Sequence, residues 1–257
     1  MAYKIVFFDI DGTLVNHEKQ IPEDTKWAVQ QLQKQGVLTA IATGRAPFHL
    51  AAIAKQLNID TFVSFNGSFV VYKGKTIFEN PLHSQKLQDL QTYATNLNHP
   101  LVFLDHQQCF ANANKHSHIE QSFQDLRVPS PLYKNPDFNT NIYQALLYCQ
   151  KHEEVHYNGK FGDFAFIRWH KFSMDVLPSN GSKAIGIKKL LEHIGLSKEE
   201  TIAFGDGLND REMLSYVGLG IAMGNAKPEV QQYAKFVTRS VDGGGIRYGL
   251  QTAGLIS

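Results

Sequence analysis

The chain has 257 residues, a formal net charge of +1 and 43% hydrophobic residues, the composition of a globular protein large enough for two domains. The sequence contains neither a basic cluster nor an apolar run near the ~20 residues that span a bilayer, so it does not support nucleic-acid binding or a membrane protein. Its two cysteines, Cys109 and Cys149, stand in unrelated contexts, which favours a reducing compartment over a disulfide framework. Because no signal-peptide pattern precedes the first strand, we expect a cytoplasmic protein.

Strands and helices alternate over the first 80 residues. Short apolar runs predict three buried parallel strands, at residues 5–8, 37–43 and 61–65. Pro22 and the acids after it are typical of a helix start, and Gly36 is typical of its end. A second helix separates the second and third strands, and a hairpin with its turn at Lys73-Gly74-Lys75 follows. This alternation is typical of a parallel sheet.

The sequence changes in character between residues 81 and 180. Apolar segments alternate there with polar helical stretches and predict strands at 101–104, 145–148 and 164–167. From Ser182 the earlier pattern returns, with an amphipathic helix and strands at 202–204, 218–223 and 236–238. The predicted fold class is therefore α/β, a Rossmann-like parallel-sheet core of residues 1–80 and 181–257. Residues 81–180 form a separate α+β domain inserted into that core.

Two acidic hexads follow predicted strands at opposite ends of the chain, Asp9-Ile10-Asp11-Gly12-Thr13-Leu14 and Gly205-Asp206-Gly207-Leu208-Asn209-Asp210. Ligands of open α/β sheets bind beyond the carboxyl ends of the strands, so neighbouring strand ends would bring these carboxylates to one pocket. Carboxylates gathered that closely repel one another and need a cation. A hard, oxygen-seeking ion such as Mg²⁺ is the natural partner.

Asp9 and Asp11 stand two positions apart where a strand gives way to a loop, so both acids can reach the pocket while Ile10 points into the sheet. An aspartate carboxylate can attack phosphorus and form an aspartyl-phosphate, and we assign this role to Asp9. Asp11 would protonate the departing alcohol and later accept a proton from the attacking water. The alternative for an isolated Asp-x-Asp is a capped turn or a solvated pair.

Other polar residues also lie at predicted strand or helix ends. Thr43-Gly44-Arg45 can hold phosphate oxygens or can simply begin a helix. Lys183 can neutralise phosphoryl charge, although most surface lysines are merely solvated. Asp206 is placed as a metal ligand, and Asn209 can donate to phosphate. Asp210 can orient Lys183 or a metal-bound water, or it can cap the helix that follows.

Taken in order, these residues resemble the four motifs of the haloacid dehalogenase superfamily, and the Cof-type branch with a type IIB α+β cap fits best. Further similarity runs through Phe65-Asn66-Gly67, Met213-Leu214 and residues 220–226. The resemblance implies that Asp9 is the nucleophile and Asp11 the acid/base. It implies a Mg²⁺ ion held by Asp9, the backbone carbonyl of Asp11 and Asp206. It also implies phosphate binding by Ile10 (through its backbone), Thr43, Gly44, Lys183 and Asn209.

The chain departs from the family pattern in two places, and neither touches the predicted chemistry. Ser182-Lys183-Ala184 lacks the glycine that often follows the lysine, and the late Asp-Gly motif is enlarged to Asp242-Gly243-Gly244-Gly245. The resemblance places substrate selection in the cap, where we expect Arg168, Trp169 and His170 to take part. Arg45 is a further candidate specificity residue. Trp169 can alternatively fill the interior of the cap.

Histidines of the inserted domain offer a second kind of site. His152-Glu153-Glu154-Val155-His156 matches the zinc-protease pattern His-Glu-x-x-His. The segment is strongly polar and has no obvious third ligand, so a solvated helix face is the favoured interpretation. His116 and His118 have loose ligand spacing, but their surroundings indicate a surface loop and a helix start.

The sequence thus predicts a Mg²⁺-dependent phosphatase that acts on small phosphomonoesters such as sugar phosphates or phosphorylated cofactors. A cap of about 100 residues would exclude macromolecular substrates and shield the intermediate. The expected partner is a small phosphorylated metabolite, with no nucleic acid and no membrane, and the sequence does not specify the oligomeric state. A phosphomutase of the same superfamily is the nearest alternative. A receiver-like signalling module that carries phosphate on aspartate is a more distant one.

Overall fold

A computed structural model describes residues 3–257. The chain divides into two compact units. The first contains the residues up to Arg45, His49–Glu79 and Ser182–Ser257, and the second contains Ala46–Phe48 and Asn80–Gly181. Within residues 3–257 we find no helix with the length and the apolar surface that a bilayer crossing needs.

The first unit is built on an eight-stranded sheet. Its strands, numbered in chain order through both units, are β1 (Ile5–Phe8), β2 (Leu38–Ala42), β3 (Phe62–Ser64), β4 (Phe69–Tyr72), β5 (Lys75–Glu79), β12 (Thr201–Gly205), β13 (Leu219–Ala222) and β14 (Phe236–Val237). The spatial order is β14-β13-β12-β1-β2-β3-β4-β5. The six strands from β14 to β3 are parallel, and the hairpin β4–β5 adds an antiparallel edge.

Helices cover both faces of this sheet. They are α1 (Glu23–Lys34), α2 (Pro47–Gln56), α5 (Lys183–Ile194), α6 (Arg211–Tyr216), α7 (Pro228–Gln231) and α8 (Gly245–Thr252). Successive residues of β1 enter opposite cores: Val6 and Phe8 join the cluster with α1 and α8, whereas Ile5 and Phe7 join the cluster with α5. Both faces of β1 are therefore apolar, as a central parallel strand requires.

The second unit has a six-stranded sheet of its own. Its strands are β6 (Leu101–Leu104), β7 (Cys109–Ala111), β8 (Leu132–Tyr133), β9 (Gln144–Tyr148), β10 (Phe164–His170) and β11 (Ser173–Pro178), in the order β10-β11-β9-β6-β7-β8. All pairs are antiparallel except β7 with β8. Two helices, α3 (Ser84–Asn96) and α4 (Ser117–Leu126), complete the unit. Leu87 and Leu90 of α3 pack against Phe103, Leu147 and Val176 of the sheet.

The predicted α/β class is confirmed, and the structure corrects several details of the elements. Phe65 lies outside β3, because the backbone turns there into a 3₁₀ segment, Phe65–Gly67, with φ of 49° at Phe65 and 50° at Asn66. The polar segment Lys151–His156 is a 3₁₀ helix with no buried residue, which agrees with the predicted solvated helix face. Strands β7, β8 and β11 and helix α8 were not predicted. Both cysteines are free thiols.

Candidate active site

The site lies where three neighbouring strands of the first unit end. Asp9 follows β1, Thr43 follows β2, and Asp206 follows β12. In the sheet, Phe8 pairs with Phe204 on one side and with Ile41 on the other. The three strand ends therefore share one edge, and residues nearly two hundred positions apart in sequence meet there.

Lys183 is buried at this edge, between Asp9 and Asp210. It begins α5, whose start is capped by the Ser182 side chain, and its own side chain is fully buried. Its Nζ donates to Oδ1 of Asp9 at 2.5 Å and to Oδ1 of Asp210 at 2.7 Å. Burial alone would lower the pKa of Lys183, but the Asp210 and Asp9 carboxylates raise it above its usual value. Lys183 is therefore a fixed cation between two carboxylates.

Asp210 has no free carboxylate oxygen. Its Oδ2 accepts hydrogen bonds from the backbone N–H of Asp206 at 3.0 Å and of Gly207 at 2.8 Å, while its Oδ1 accepts from Lys183. Gly205 allows this close approach, since a Cβ there would lie 2.6 Å from Cγ of Asp210. Asp210 thus positions both Lys183 and the loop that carries Asp206.

Asp206 faces the end of β1. Oδ1 accepts from Thr13 Oγ1 at 3.1 Å, and Oδ2 accepts from Asn225 Nδ2 at 3.0 Å. Gly12 adopts φ of +78°, and a Cβ at that position would overlap the Asp206 carboxylate. Burial raises the pKa of Asp206 to about 6, and the Asp210 carboxylate adds to the rise. Thr13 and Asn225 together hold the orientation of this carboxylate.

Carboxylate oxygens of Asp9, Asp206 and Asp210 lie within 4.8 Å of one another, and they form the one such group of three possible metal ligands among residues 3–257. Asp210 is fully buried and bonded to Lys183 and to two backbone N–H groups, whereas Asp206 is partly exposed and Asp9 has one oxygen without a hydrogen bond from the described residues, so Asp9 and Asp206 are the more accessible ligands. Asp9 is 7% exposed, and burial raises its pKa well above the usual range, against the opposing effect of Lys183. Hard carboxylate oxygens that are difficult to ionise without a cation suit a small divalent ion.

Asp11 has a different environment from Asp9. Its side chain is 46% exposed and accepts two hydrogen bonds from Arg45, from Nε at 2.8 Å and from a terminal nitrogen at 2.7 Å. Lys19 donates a third at 2.6 Å. Burial would raise the pKa of Asp11, but Arg45 and Lys19 outweigh it and hold the pKa below the usual value. Arg45 therefore lies in the site, and Lys19 joins it without having been predicted.

Two of the other predicted phosphate-binding residues, Gly44 and Asn209, lie beside the Asn66 side chain. Asn209 donates from Nδ2 to Oδ1 of Asn66 at 2.9 Å, and a Cβ on Gly44 would lie 3.0 Å from the Asn66 amide. Thr43 accepts a hydrogen bond from the Arg45 N–H at 3.1 Å. The Ile10 side chain is fully buried in the core, so only its backbone faces the loop.

Asn66 and Asn225 were not predicted as site residues. The sequence places Asn66 only in the family similarity of Phe65-Asn66-Gly67, and its left-handed backbone is a conformation that asparagine tolerates better than most residues. Asn225 donates to the Gly12 carbonyl at 2.9 Å as well as to Asp206. Each makes its contact with a residue far away in the sequence, and sequence periodicity carries no signal for such pairs.

The specificity residues predicted on β10 lie in the second unit. Arg168 pairs with Glu154 and donates to the carbonyls of Cys149, His170 and Lys171, so its guanidinium is occupied by groups of that unit. His170 lies 3.1 Å from Asp125. Trp169 is half-buried, and its indole N–H has no partner among the described residues.

The acids of segment His152–His156, which matches a zinc-site pattern, make contacts inside the second unit. Glu153 closes a capping box with Gln150 and lies 3.2 Å from the buried His99, while Glu154 pairs with Arg168. Neither this segment nor the His116 and His118 pair belongs to a three-ligand metal group within residues 3–257. Both acids of the motif serve the internal structure of the second unit.

Comparisons with known proteins agree with this arrangement. Residues 6–250 match the family model described as haloacid dehalogenase-like hydrolase. A Bacillus subtilis candidate phosphatase, YkrA, is 43% identical over 257 residues, which cover 100% of both chains. The crystal structure of a hypothetical protein from Geobacillus kaustophilus HTA426 is 49% identical, with a TM-score of 0.96 over 99% of this chain and 100% of that one. The HAD subclass IIB sugar phosphatase BT4131 is 28% identical, with a TM-score of 0.84 over 98% and 100%.

Proposed function

The chain belongs to the haloacid dehalogenase-like hydrolase family, and we propose that it is a Mg²⁺-dependent phosphatase that hydrolyses small phosphomonoesters through an aspartyl-phosphate. The substrates we propose are sugar phosphates or phosphorylated cofactors. The sugar phosphatase activity of one structural relative supports that class. The proposal depends on one observation. Asp9 is buried at the end of β1, accepts a hydrogen bond from the buried Lys183, and lies beside a second acid, Asp206.

Asp9 is the proposed nucleophile. Its Oδ1 is fixed by Lys183, and its Oδ2 accepts no hydrogen bond from the described residues, so one oxygen is held and the other is available. An Asp9 oxygen forms a bond to phosphorus while the bond from phosphorus to the alcohol oxygen breaks. Water then forms a bond to phosphorus and releases Asp9. Lys183 lies beside the reacting carboxylate and neutralises phosphoryl charge.

Asp11 is the proposed acid/base. It stands two residues after Asp9, and its half-exposed side chain faces the open side of the strand end. In the first step it gives a proton to the departing alcohol oxygen, and in the second it takes one from the attacking water. Thr43, Gly44, Asn209 and the Ile10 backbone are the proposed phosphate ligands.

Asp9, Asp206 and the backbone carbonyl of Asp11 would hold the Mg²⁺ ion. When bound, the ion would neutralise the gathered carboxylates and polarise a phosphoryl oxygen. The donor set of hard oxygens supports this choice. Thr13 and Asn225 keep Asp206 turned toward Asp9 by the hydrogen bonds described above, and Asp210 keeps Lys183 in place.

The experiment is a phosphate-release assay with Mg²⁺ on a panel of sugar phosphates and phosphorylated cofactors. The parent should release phosphate, and Asp9→Asn should lose the activity by several orders of magnitude with an unchanged melting curve. Asp89→Asn, at an exposed aspartate of α3, is the matched control and should keep parental activity. An active Asp9→Asn variant would exclude Asp9 as nucleophile. Product isomers without free phosphate would indicate a phosphomutase, and a long-lived phosphoprotein would indicate a receiver.

A further inference from the structure

The turn that carries Lys19 has an unusual backbone. Lys19 adopts φ of +64°, in the left-handed region that side chains with a Cβ avoid. Asn16 maintains this conformation, since its Oδ1 accepts from the N–H of Glu18 at 3.1 Å and of Gln20 at 3.0 Å. The Asn16 carbonyl accepts the N–H of Lys19 at 3.0 Å. Asn16 therefore directs Lys19 into a position that it would not adopt by itself.

Asn16 is in turn fixed by the enlarged Asp-Gly motif. Its Nδ2 donates to Oδ1 of Asp242 at 3.0 Å, a contact across 226 positions of sequence. Asp242 lies in the 3₁₀ turn Val241–Gly243, and the N–H of Val241 donates to Oδ1 of Asn225 at 2.9 Å. The same Asn225 holds Asp206. One segment of chain is thus bonded both to the Lys19 turn and to the residue that orients Asp206.

Lys19 connects this series of contacts to Asp11. Its Nζ lies 2.6 Å from Oδ1, the oxygen that also accepts from Arg45. Both members of the Lys19–Asp11 pair are about half exposed, and exposed ion pairs contribute little to stability. A left-handed lysine is unfavourable by comparison. The pair is therefore poorly explained as a stabilising contact, and strained residues of this kind cluster at functional sites.

We propose that Lys19 is a positioning residue that holds the Asp11 carboxyl group, and that Asp242 acts through Asn16 to hold Lys19. This inference rests on the proposed function, in which Asp11 protonates the departing alcohol. Without the Lys19 side chain, Asp11 keeps its two hydrogen bonds from Arg45 but loses the contact from the turn that carries Lys19. The orientation of the proton donor is then less well defined.

The test compares two leaving groups. p-Nitrophenolate departs without a proton, whereas an alkoxide needs one, so only the alkyl phosphate depends strongly on Asp11. The value of kcat/KM reports the steps up to alcohol release and excludes hydrolysis of the intermediate. For the fastest alkyl phosphate of the panel, Lys19→Met should lower kcat/KM about tenfold, because misplaced catalytic groups lose much of their effect. The loss with p-nitrophenyl phosphate should be about twofold or less.

Matched variants separate positioning from general damage. Lys19→Arg should recover most of the parental ratio between the two substrates, and Lys34→Met, at an exposed lysine of α1, should leave both values unchanged. Asp242→Ala should repeat the Lys19→Met pattern, while Asp242→Asn should largely retain the ratio because its amide oxygen still accepts from Asn16. Combining Asp242→Ala with Lys19→Met should add nothing further, since both act through one path.

Equal losses on both substrates, or additive losses in the double variant, would overturn the inference. Asp11→Asn separates its failure from that of the proposed function. If Asp11→Asn shifts the substrate ratio and Lys19→Met does not, only the positioning role fails. If Asp11→Asn leaves the ratio unchanged, or if the parent hydrolyses neither substrate, the proposed function fails and the inference fails with it.

Discussion

The substitution Asp210→Asn tests the buried charge cluster. The Asp210 side chain is 0% exposed and accepts three hydrogen bonds, from Lys183 and from two backbone N–H groups. An amide has one acceptor oxygen and one NH₂ group, so at least one of these donors would face another donor. Lys183 would also lose one of its two carboxylate partners while staying buried.

The expected destabilisation is about 2–4 kcal/mol, because an unsatisfied buried donor costs about 1–3 kcal/mol and a fully broken buried ion pair costs about 3–5. The upper figure does not apply in full, since Lys183 keeps Asp9. With a slope of about 2 kcal/mol per molar urea, the unfolding midpoint should fall by about 1–2 M.

The assay uses the positions of the two tryptophans. Trp27 lies in α1 of the first unit and Trp169 in β10 of the second, so Trp27 fluorescence in a Trp169→Phe background reports unfolding of the first unit alone. The measurement is made in EDTA to remove any bound cation. Asp60→Asn, at an exposed aspartate of the same unit, should change stability by no more than about 0.5 kcal/mol. A midpoint for Asp210→Asn equal to that of this control would refute the account of the cluster.

Three further predictions concern the metal, the charges and the backbone of the same edge. EDTA should abolish phosphate release and Mg²⁺ restore it, and Asp206→Ala should raise the Mg²⁺ concentration needed for half-maximal activity; full activity in EDTA would contradict a metal role. Burial raises the pKa of Asp206 from 3.8 to about 6 and that of Asp9 further, so the folded state binds more protons than the unfolded state. In EDTA, stability contributed by these groups should therefore fall as pH rises from about 4 through 6 and above. Mg²⁺ should raise the melting temperature more at pH 8 than at pH 5, and an equal rise at both would refute the linkage. Gly67→Ala should destabilise the first unit by at least ~2 kcal/mol in urea unfolding, because φ is +99° and a Cβ would overlap the Ser182 carbonyl; a neutral result would show that the turn can move away from α5.

The strands of the first unit were predictable where burial alone determines them. Ile5-Val6-Phe7-Phe8 is apolar on both faces and is followed at once by a polar loop, and β1 covers these same four residues. The meeting of the two acidic hexads followed from one general rule, that parallel strands present their carboxyl ends at a common edge. β1 and β12 are direct neighbours in the sheet, and this adjacency brings Asp9 and Asp206 together.

Elements that depend on distant packing were not predictable in the same way. Helix α8 contains Gly245 and Gly249, which argue against a helix by propensity. Gly249 is nevertheless required, since a Cβ there would lie 2.6 Å from the Phe204 ring. Phe65 and Asn66 have a left-handed backbone conformation in the turn Phe65–Gly67, and this turn packs against the start of α5. Lys19, Asn66 and Asn225 take their places through partners that no local pattern identifies.

Asp9 and Asp11 show how one strand end can carry two different carboxyl groups. Asp9 lies inward against Lys183, and burial raises its pKa, whereas Asp11 lies outward, where Arg45 and Lys19 lower its pKa. Under the proposed function the nucleophile must be ionised and the acid protonated, which is the reverse of these shifts. A divalent ion beside Asp9 would favour its ionised form. Under the proposed function, the negative charge of the bound substrate would have to raise the pKa of Asp11 while Arg45 and Lys19 keep its carboxyl group in place. Under the proposed function, metal binding would therefore favour the ionised nucleophile, and substrate binding would favour the protonated acid.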